Sequence, residues 1–216
     1  MNNKITTLLF DLDGTLVDTN ELIYVSFQYT LDKYYPGQYT REDILPFFGP
    51  SLTSTFYGID PEKAEEMIDV YQTHNKEHHD QLVTIFPGVI ETIKKLKEDG
   101  YKLGVVTTKR TEVAKMGLDL TKLTPFFDAF IAFEDVEKTK PDPESLFKAL
   151  EILDSVPEEA IMVGDNFHDI LAGKYAGMRT AGVSWTIKGV DYLKSYEPDY
   201  ILESMSDLLD IVEGRK

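Results

Sequence analysis

Apolar and polar positions along this chain follow two rhythms. Residues 5–10, 103–106 and 161–163 are short runs with almost no polar break. Runs of that length and character read as strands buried on both faces. Between and after them the apolar spacing lengthens to the helical period. Residues 88–99 put Ile90, Ile93 and Leu96 on one face, and Gly100 stops the helix. The same reading gives a strand over 102–107, a helix over 111–120 and a strand over 128–133. Asp142 caps a helix with Pro143 at its first position, running to about residue 153. A strand over 160–164 leads to a helix over 167–176 closed by Gly177. Residues 181–184 and 200–202 read as two short outer strands, and a last helix starts at 206. Alternating strands and helices predict an α/β fold, a Rossmann-like doubly wound parallel sheet. In such sheets ligands bind beyond the carboxyl ends of the strands.

Residues 18–84 break this alternation. They read as helical over 20–34, roughly 50–57, and 61 to about 81 with Asp60 as cap; the loop 45–51 joins two of these helices. The expected organisation is a core of residues 1–17 plus 83–216, with a helical domain of residues 18–82 inserted between. Its joints fall near 15–18 and 82–87. A helical lid at the carboxyl end of the first strand would exclude water when closed.

Length and apolar content suit one ordinary domain or a core plus a small insert. Charge changes the picture more. The formal net charge is -16 over 216 residues, which argues against a nucleic-acid or anionic-membrane surface. The chain has no cysteine; disulfides and thiolate chemistry are excluded, and a reducing, cytoplasmic setting is expected. The segment Met1-Asn2-Asn3-Lys4 runs straight into a strand that ends in aspartates, unlike a signal peptide, and no apolar run is long enough to span a bilayer.

The candidate chemistry sits at strand ends. Phe10-Asp11-Leu12-Asp13-Gly14-Thr15 places two carboxylates two residues apart at the exit of the first strand. Alternate residues of an extended chain face one side, and paired carboxylates resist joint ionisation unless a cation offsets them. This predicts a divalent-metal site in which one Asp attacks and the other moves a proton. The bland alternative is an acidic Asp-Gly turn. Thr107 and Thr108 end the second strand, Lys140 precedes Pro141-Asp142-Pro143, and Gly164-Asp165 ends the third, with Asp169 four residues on. Each has a dull reading too: Thr107 finishing a strand with Thr108 as its rival, Lys140 a solvated lysine with Lys138 as its rival, and Asp165 a helix cap. His74 and His78 have the i, i+4 spacing of zinc ligands, but no carboxylate stands between them and the segment is polar all round, so a solvated helix end is expected. His168 reaches the rim of the presumed site without an assigned role.

Taken together, Asp11-Leu12-Asp13-Gly14-Thr15, Thr107, Lys140 and Gly164-Asp165 with Asp169 resemble, in order, the four motifs of the haloacid dehalogenase superfamily of phosphatases. A helical insert straight after the first motif resembles the mobile cap of its C1 branch. The resemblance implies Asp11 as nucleophile forming an aspartyl-phosphate, and Asp13 as general acid and base. It implies Thr107 as a hydrogen-bond donor to the phosphoryl group and Lys140 as the counter-charge. Mg2+ is implied on Asp11, the backbone carbonyl of Asp13 and Asp165, with Asp169 supporting from behind. Backbone N–H groups at Gly14, Thr15 and Thr108 are implied as a phosphate cradle. Asp18-Thr19-Asn20-Glu21, Tyr34-Tyr35-Pro36, Arg41-Glu42-Asp43 and His78-His79-Asp80 further resemble the bacterial inorganic pyrophosphatases of the phosphoglycolate phosphatase-like branch. That implies a small phosphate-containing substrate, pyrophosphate, formed when seryl-phosphorylated HPr is dephosphorylated. The alternatives are a phosphoglycolate phosphatase or other small-organophosphate monoesterase, and an inactive regulatory module. Lys109, Arg110 and Arg41 are the cations expected nearest a second phosphate, and Gly49 the place where backbone could approach the leaving group.

Overall fold

A computed structural model describes residues 4–215. The chain forms β1 (Thr7–Phe10), β2 (Val17–Asp18), α1 (Asn20–Tyr34), α2 (Arg41–Ile44), α3 (Leu52–Ile59), α4 (Ala64–Leu82), β3 (Thr84–Ile85), α5 (Val89–Glu98), β4 (Lys102–Val106) and α6 (Thr111–Leu120). It continues with β5 (Ala129–Ile131), α7 (Glu144–Ile152), β6 (Ala160–Gly164), α8 (Phe167–Ala176), β7 (Arg179–Val183), α9 (Val190–Lys194), β8 (Tyr200–Leu202) and α10 (Asp207–Val212). Six strands make one sheet in the order β5-β4-β1-β6-β7-β8, and every pairing in it is parallel. The fold is the expected α/β one.

The apolar runs explain why β1 lies at the centre. All four of its residues are buried. Leu8 and Phe10 join Val105, Ile161 and Val163 on one face; Leu9 joins Val106, Ala160 and Met162 on the other. A strand covered on both faces has no polar side to offer water. From β1 the chain builds outward through β4 to β5, then returns to the other flank of β1 as β6. The carboxyl ends of β1, β4 and β6 therefore lie side by side at the reversal of strand order, where a crevice opens.

Helices α1–α4 stand between β2 and β3, a two-stranded antiparallel pair that joins Val17 to Ile85 and Asp18 to Thr84. They have their own apolar cluster, with Phe27, Leu31, Ile44, Phe56 and Met67 fully or almost fully buried. Phe27 packs in tilted ring contacts against Phe47, Phe56 and Tyr71 with ring centroids 4.7–5.5 Å apart.

Some boundaries differ from the expectation. Asp60 does not cap α4. It is the C-cap of α3, its Oδ1 accepts from the Glu62 N–H at 3.0 Å, and α4 begins only at Ala64. Asp142 lies one residue outside the cap position of α7, where Pro143 sits, and accepts from the Glu144 N–H at 3.0 Å. Strand β7 is not an outer strand, because β8 covers its edge. Helix α2 was not expected; a four-residue helix shows too little periodicity to read, though Thr40 and Asp43 form a capping box there.

Candidate active site

The first motif turns back on itself at the end of β1. The Gly14 N–H donates to Val17 O at 2.9 Å and the Thr15 N–H to Leu12 O at 3.4 Å. Gly14 has φ +79°, and a Cβ there would meet Asp165 Oδ2 at 2.5 Å. Only glycine lets the turn press against the aspartate of the neighbouring strand. Gly14 and Thr15 are thus spent on the turn. Thr15 is fully buried, its hydroxyl has no hydrogen-bond partner, and neither residue lines the cavity described below.

Asp11 projects from this turn toward the ends of β4 and β6. Lys140 Nζ donates to Asp11 Oδ1 at 2.7 Å, to Asp169 Oδ1 at 2.6 Å and to Val106 O at 2.9 Å. All three of its protons have an acceptor. Lys140 is buried, and Lys138 is exposed and paired at 3.9 Å with Asp142 instead. The rivalry between those two lysines is decided by position.

Carboxylate oxygens of Asp11, Asp165 and Asp169 lie within 4.8 Å of one another, and all three residues are buried. One lysine cannot offset three such charges. Burial raises the Asp11 carboxyl to about 7, against the pull of Lys140, with Asp169 and Asp13 adding to the rise. Burial and the charges of Asp11 and Asp169 hold Asp165 well above the usual carboxylate range. The donor set fits a hard divalent cation: oxygen only, buried and short of positive charge. Asp169 is already committed, its Oδ1 to Lys140 and its Oδ2 to the Asn166 N–H at 3.0 Å. Asp11 and Asp165 are the members with oxygens to spare.

Asp13 is held by a different lysine. Lys109 Nζ donates to its Oδ1 at 2.7 Å, and both side chains are largely covered. The two aspartates of the motif therefore meet different lysines while lining one cavity of about 120 Å³. At roughly 10–15 Å³ per water that is space for on the order of ten waters, or one compact ligand. Thr107, Lys109, Arg110 and Asn166 line it from the sheet side. Thr107 Oγ1 accepts from the Lys109 N–H at 3.1 Å, which leaves its own proton to donate. The Thr108 hydroxyl is already given to Gly49 O at 3.1 Å, which separates the two threonines.

The helical insert closes the far wall through the loop after α2. Phe48 O accepts from Asn166 Nδ2 at 3.0 Å and from Lys188 Nζ at 2.9 Å. Gly49 has φ +104°, and a Cβ on it would meet Asn166 Nδ2 at 2.5 Å. Asn166 and Lys188 were not singled out in the sequence. Asn166 has a readable signal as the cap of α8 in a capping box with Asp169; Lys188 has none, since it lies in a loop far along the chain. Arg41 is not in the cavity: it lies over the Tyr24 ring at 4.1 Å and pairs with Glu21. His74 and His78 stack at 4.2 Å, and among the described residues they form no group of three ligands. His168 Nδ1 meets Asn166 Oδ1 at 2.9 Å, and burial lowers its pKa to about 4, so it is neutral at physiological pH.

Comparison with known proteins agrees with this arrangement. A family model described as haloacid dehalogenase-like hydrolase matches residues 8–183. The chain is 58% identical over 211 residues to a protein named pyrophosphatase PpaX from Bacillus cereus strain B4264, covering 98% of each. It is 58% identical over 209 residues to the pyrophosphatase PpaX of Bacillus mycoides strain KBAB4, covering 97% of each. Among solved structures, a haloacid dehalogenase-like family hydrolase from Streptococcus pneumoniae superposes with a TM-score of 0.85 at 28% identity, over 96% of this chain and 98% of that one.

Proposed function

The chain belongs to the haloacid dehalogenase-like hydrolase family, and from that premise we propose that it hydrolyses inorganic pyrophosphate to phosphate with Mg2+. The observation that carries the chemistry is the pair of carboxylates lining one cavity with a lysine each: buried Asp11 on Lys140 and the metal-type cluster, and half-buried Asp13 on Lys109. The substrate is drawn from the 58% identity to proteins named pyrophosphatase PpaX, which spans helical insert and sheet alike. On the same resemblance, the pyrophosphate is that formed in dephosphorylation of seryl-phosphorylated HPr.

Asp11 attacks the nearer phosphorus through the oxygen that Lys140 leaves free, and the bond to the bridging oxygen breaks. Asp13 gives a proton to the departing phosphate, then takes one from the water that cleaves the aspartyl-phosphate. Thr107 donates to a phosphoryl oxygen, and Lys140 holds Asp11 in place. Asp11, Asp165 and the Asp13 carbonyl are the groups that would hold Mg2+, with Asp169 fixed behind them. Held there, the ion would offset the carboxylate charge and stabilise negative charge on the phosphoryl group. Helices α1–α4 act as a cap hinged at β2 and β3, and the Phe48–Gly49 loop is its inner edge. Water is excluded while this edge is down.

An organic phosphate monoester is the second reading, favoured by the apolar side chains Ile23, Phe47 and Leu52 on the cap wall. Phosphate release from pyrophosphate and from phosphoglycolate, each with Mg2+ and with chelator, tests the proposal. Rapid, Mg2+-dependent release from pyrophosphate is expected. A preference for phosphoglycolate would transfer the assignment to the second reading, and release unaffected by chelator would remove the metal from it.

A further inference from the structure

Helix α4 crosses the cavity with one face. Ile68, Tyr71, Gln72 and Asn75 follow one another at i, i+3, i+4 and i+7, and all four line the cavity that Asp13 also lines. The face changes character along its length, from apolar at Ile68 to carboxamide at Gln72 and Asn75. Among the described residues the cap lines the cavity with no charged side chain; every lysine and arginine there comes from the sheet side. For a cap that closes on a polyanion, neutral polar groups at this place call for a physical reason.

Asn75 gives one. It is only 3% exposed, and a buried carboxamide is costly unless it is hydrogen-bonded. Its Nδ2 donates to Ser26 Oγ at 3.4 Å, and Ser26 Oγ in turn meets His74 Nδ1 at 3.1 Å. Ser26 is fully buried. The amide is therefore held from behind, by α1, on the side away from the cavity. A carboxamide offers two N–H protons and two lone pairs; Asn75 also hydrogen-bonds the Tyr71 hydroxyl, so beyond Ser26 its donor capacity is shared between Tyr71 and the space both residues line. Burial and the charge of Asp13 push the Tyr71 hydroxyl above its usual pKa, against the pull of its hydrogen bond with Asn75, so it stays protonated.

We infer that Gln72 and Asn75 are specificity-determining residues that recognise the leaving group by neutral amide hydrogen bonds to its oxygens. This rests on the proposed function and deepens it: the favoured leaving group is compact and rich in acceptor oxygens, as a second phosphate is. A cation on this face would compete with Lys109 for Asp13. A carboxylate would repel the departing anion. An amide donates to phosphate oxygens without doing either.

The test compares pyrophosphate with p-nitrophenyl phosphate, whose leaving group carries no phosphoryl oxygens. Gln72→Glu and Asn75→Asp keep the shape of each side chain, remove its N–H donors and add a negative charge. Each is expected to lower the ratio of kcat/KM for pyrophosphate to that for p-nitrophenyl phosphate by about tenfold or more, mainly through KM for pyrophosphate. Gln72 is only half-buried, so its variant decides the matter if Asn75→Asp fails to fold. A ratio within twofold of wild type, or parallel losses on both substrates, would overturn the inference. Wild-type turnover of pyrophosphate in the same assay tests the proposed function separately. If wild type prefers another phosphate ester, that reading fails, while the change in the ratio caused by Gln72→Glu still judges the amide.

Discussion

In the proposed mechanism Asp11 carries two burdens at once, as the nucleophile and as one of three buried carboxylates around a single lysine. The two can be separated by Asp11→Asn. The amide keeps the shape and removes one charge from a crowded cluster, while Lys140 keeps Asp169 and Val106 O as acceptors. Turnover should fall to background in this variant, yet the metal-free protein should melt no lower than wild type, because like-charge repulsion is relieved. A thermal melt in chelator beside a phosphate-release assay checks both halves; retained turnover would remove Asp11 as the nucleophile. A pH effect follows from the same residue. With its carboxyl raised to about 7, Asp11 is partly protonated below neutrality when no metal is bound. In metal-free protein the cost of ionising it grows as pH rises from the ordinary carboxylate value, near 4, toward 7 and is constant above. Mg2+ must displace that proton at low pH. Affinity for Mg2+ should therefore rise from pH 5.5 to 7.5 and then level off. Calorimetry in buffers of different ionisation enthalpy should show protons released at pH 6 and few at pH 8.5; no release at pH 6 would contradict it.

At the scale of elements, the contact of the helical insert's loop with the sheet side depends on one residue without a side chain. Phe48 O and Gly49 O are gripped by donors from the loops after β4, β6 and β7, namely Thr108, Asn166 and Lys188. Gly49→Ala would put a methyl group into Asn166 Nδ2 and force a β-carbon into φ +104°. Strain of this kind costs about 1–3 kcal/mol, and on the proposed cap movement the clash with Asn166 is relieved when the cap lifts. The variant is expected to keep its melting temperature within a few degrees and to lose roughly ten- to a hundredfold in kcat/KM. Steady-state kinetics beside a melting curve would show this, and undiminished kcat/KM would mean the cap edge need not seat there. The grip also shows where sequence reading stops. Strands β1, β4 and β6 were legible because burial on both faces forces apolar runs, and α5 because Ile90, Ile93 and Leu96 keep the helical period and Gly100 stops it. Asp11, Thr107, Lys140 and Asp165 were legible because each sits at a strand end or beside a helix start. Strands β2 and β3 are two residues each, too short to have a period. Lys188 reaches Phe48 across 140 positions, and no local pattern encodes a contact that distant. The choice of Thr107 over Thr108 waited on Gly49, a residue of another element.

For the molecule as a whole, the charge of -16 stands against a polyanionic substrate. The two are reconciled by distance. Close to the cavity, Lys109, Lys140, Arg110 and Lys188 stand among the carboxylates, and a bound divalent ion tips that short-range balance positive. Farther out the surplus of acidic residues dominates, and an approaching anion meets repulsion before it meets the site. Salt acts on these two ranges unequally. The screening length is about 30 Å at 0.01 M and about 8 Å at 0.15 M, so added salt hides the distant surface while contacts inside a covered cleft persist. Association should become faster, not slower, as monovalent salt rises from 0.01 to 0.15 M. With free Mg2+ held constant and saturating, kcat/KM for pyrophosphate is expected to increase severalfold over that range while kcat changes little. The usual electrostatically steered enzyme shows the opposite slope. A monotonic fall in kcat/KM with salt would mean that the positive field of the cleft reaches past the acidic surface, and that the net charge plays no part in substrate capture.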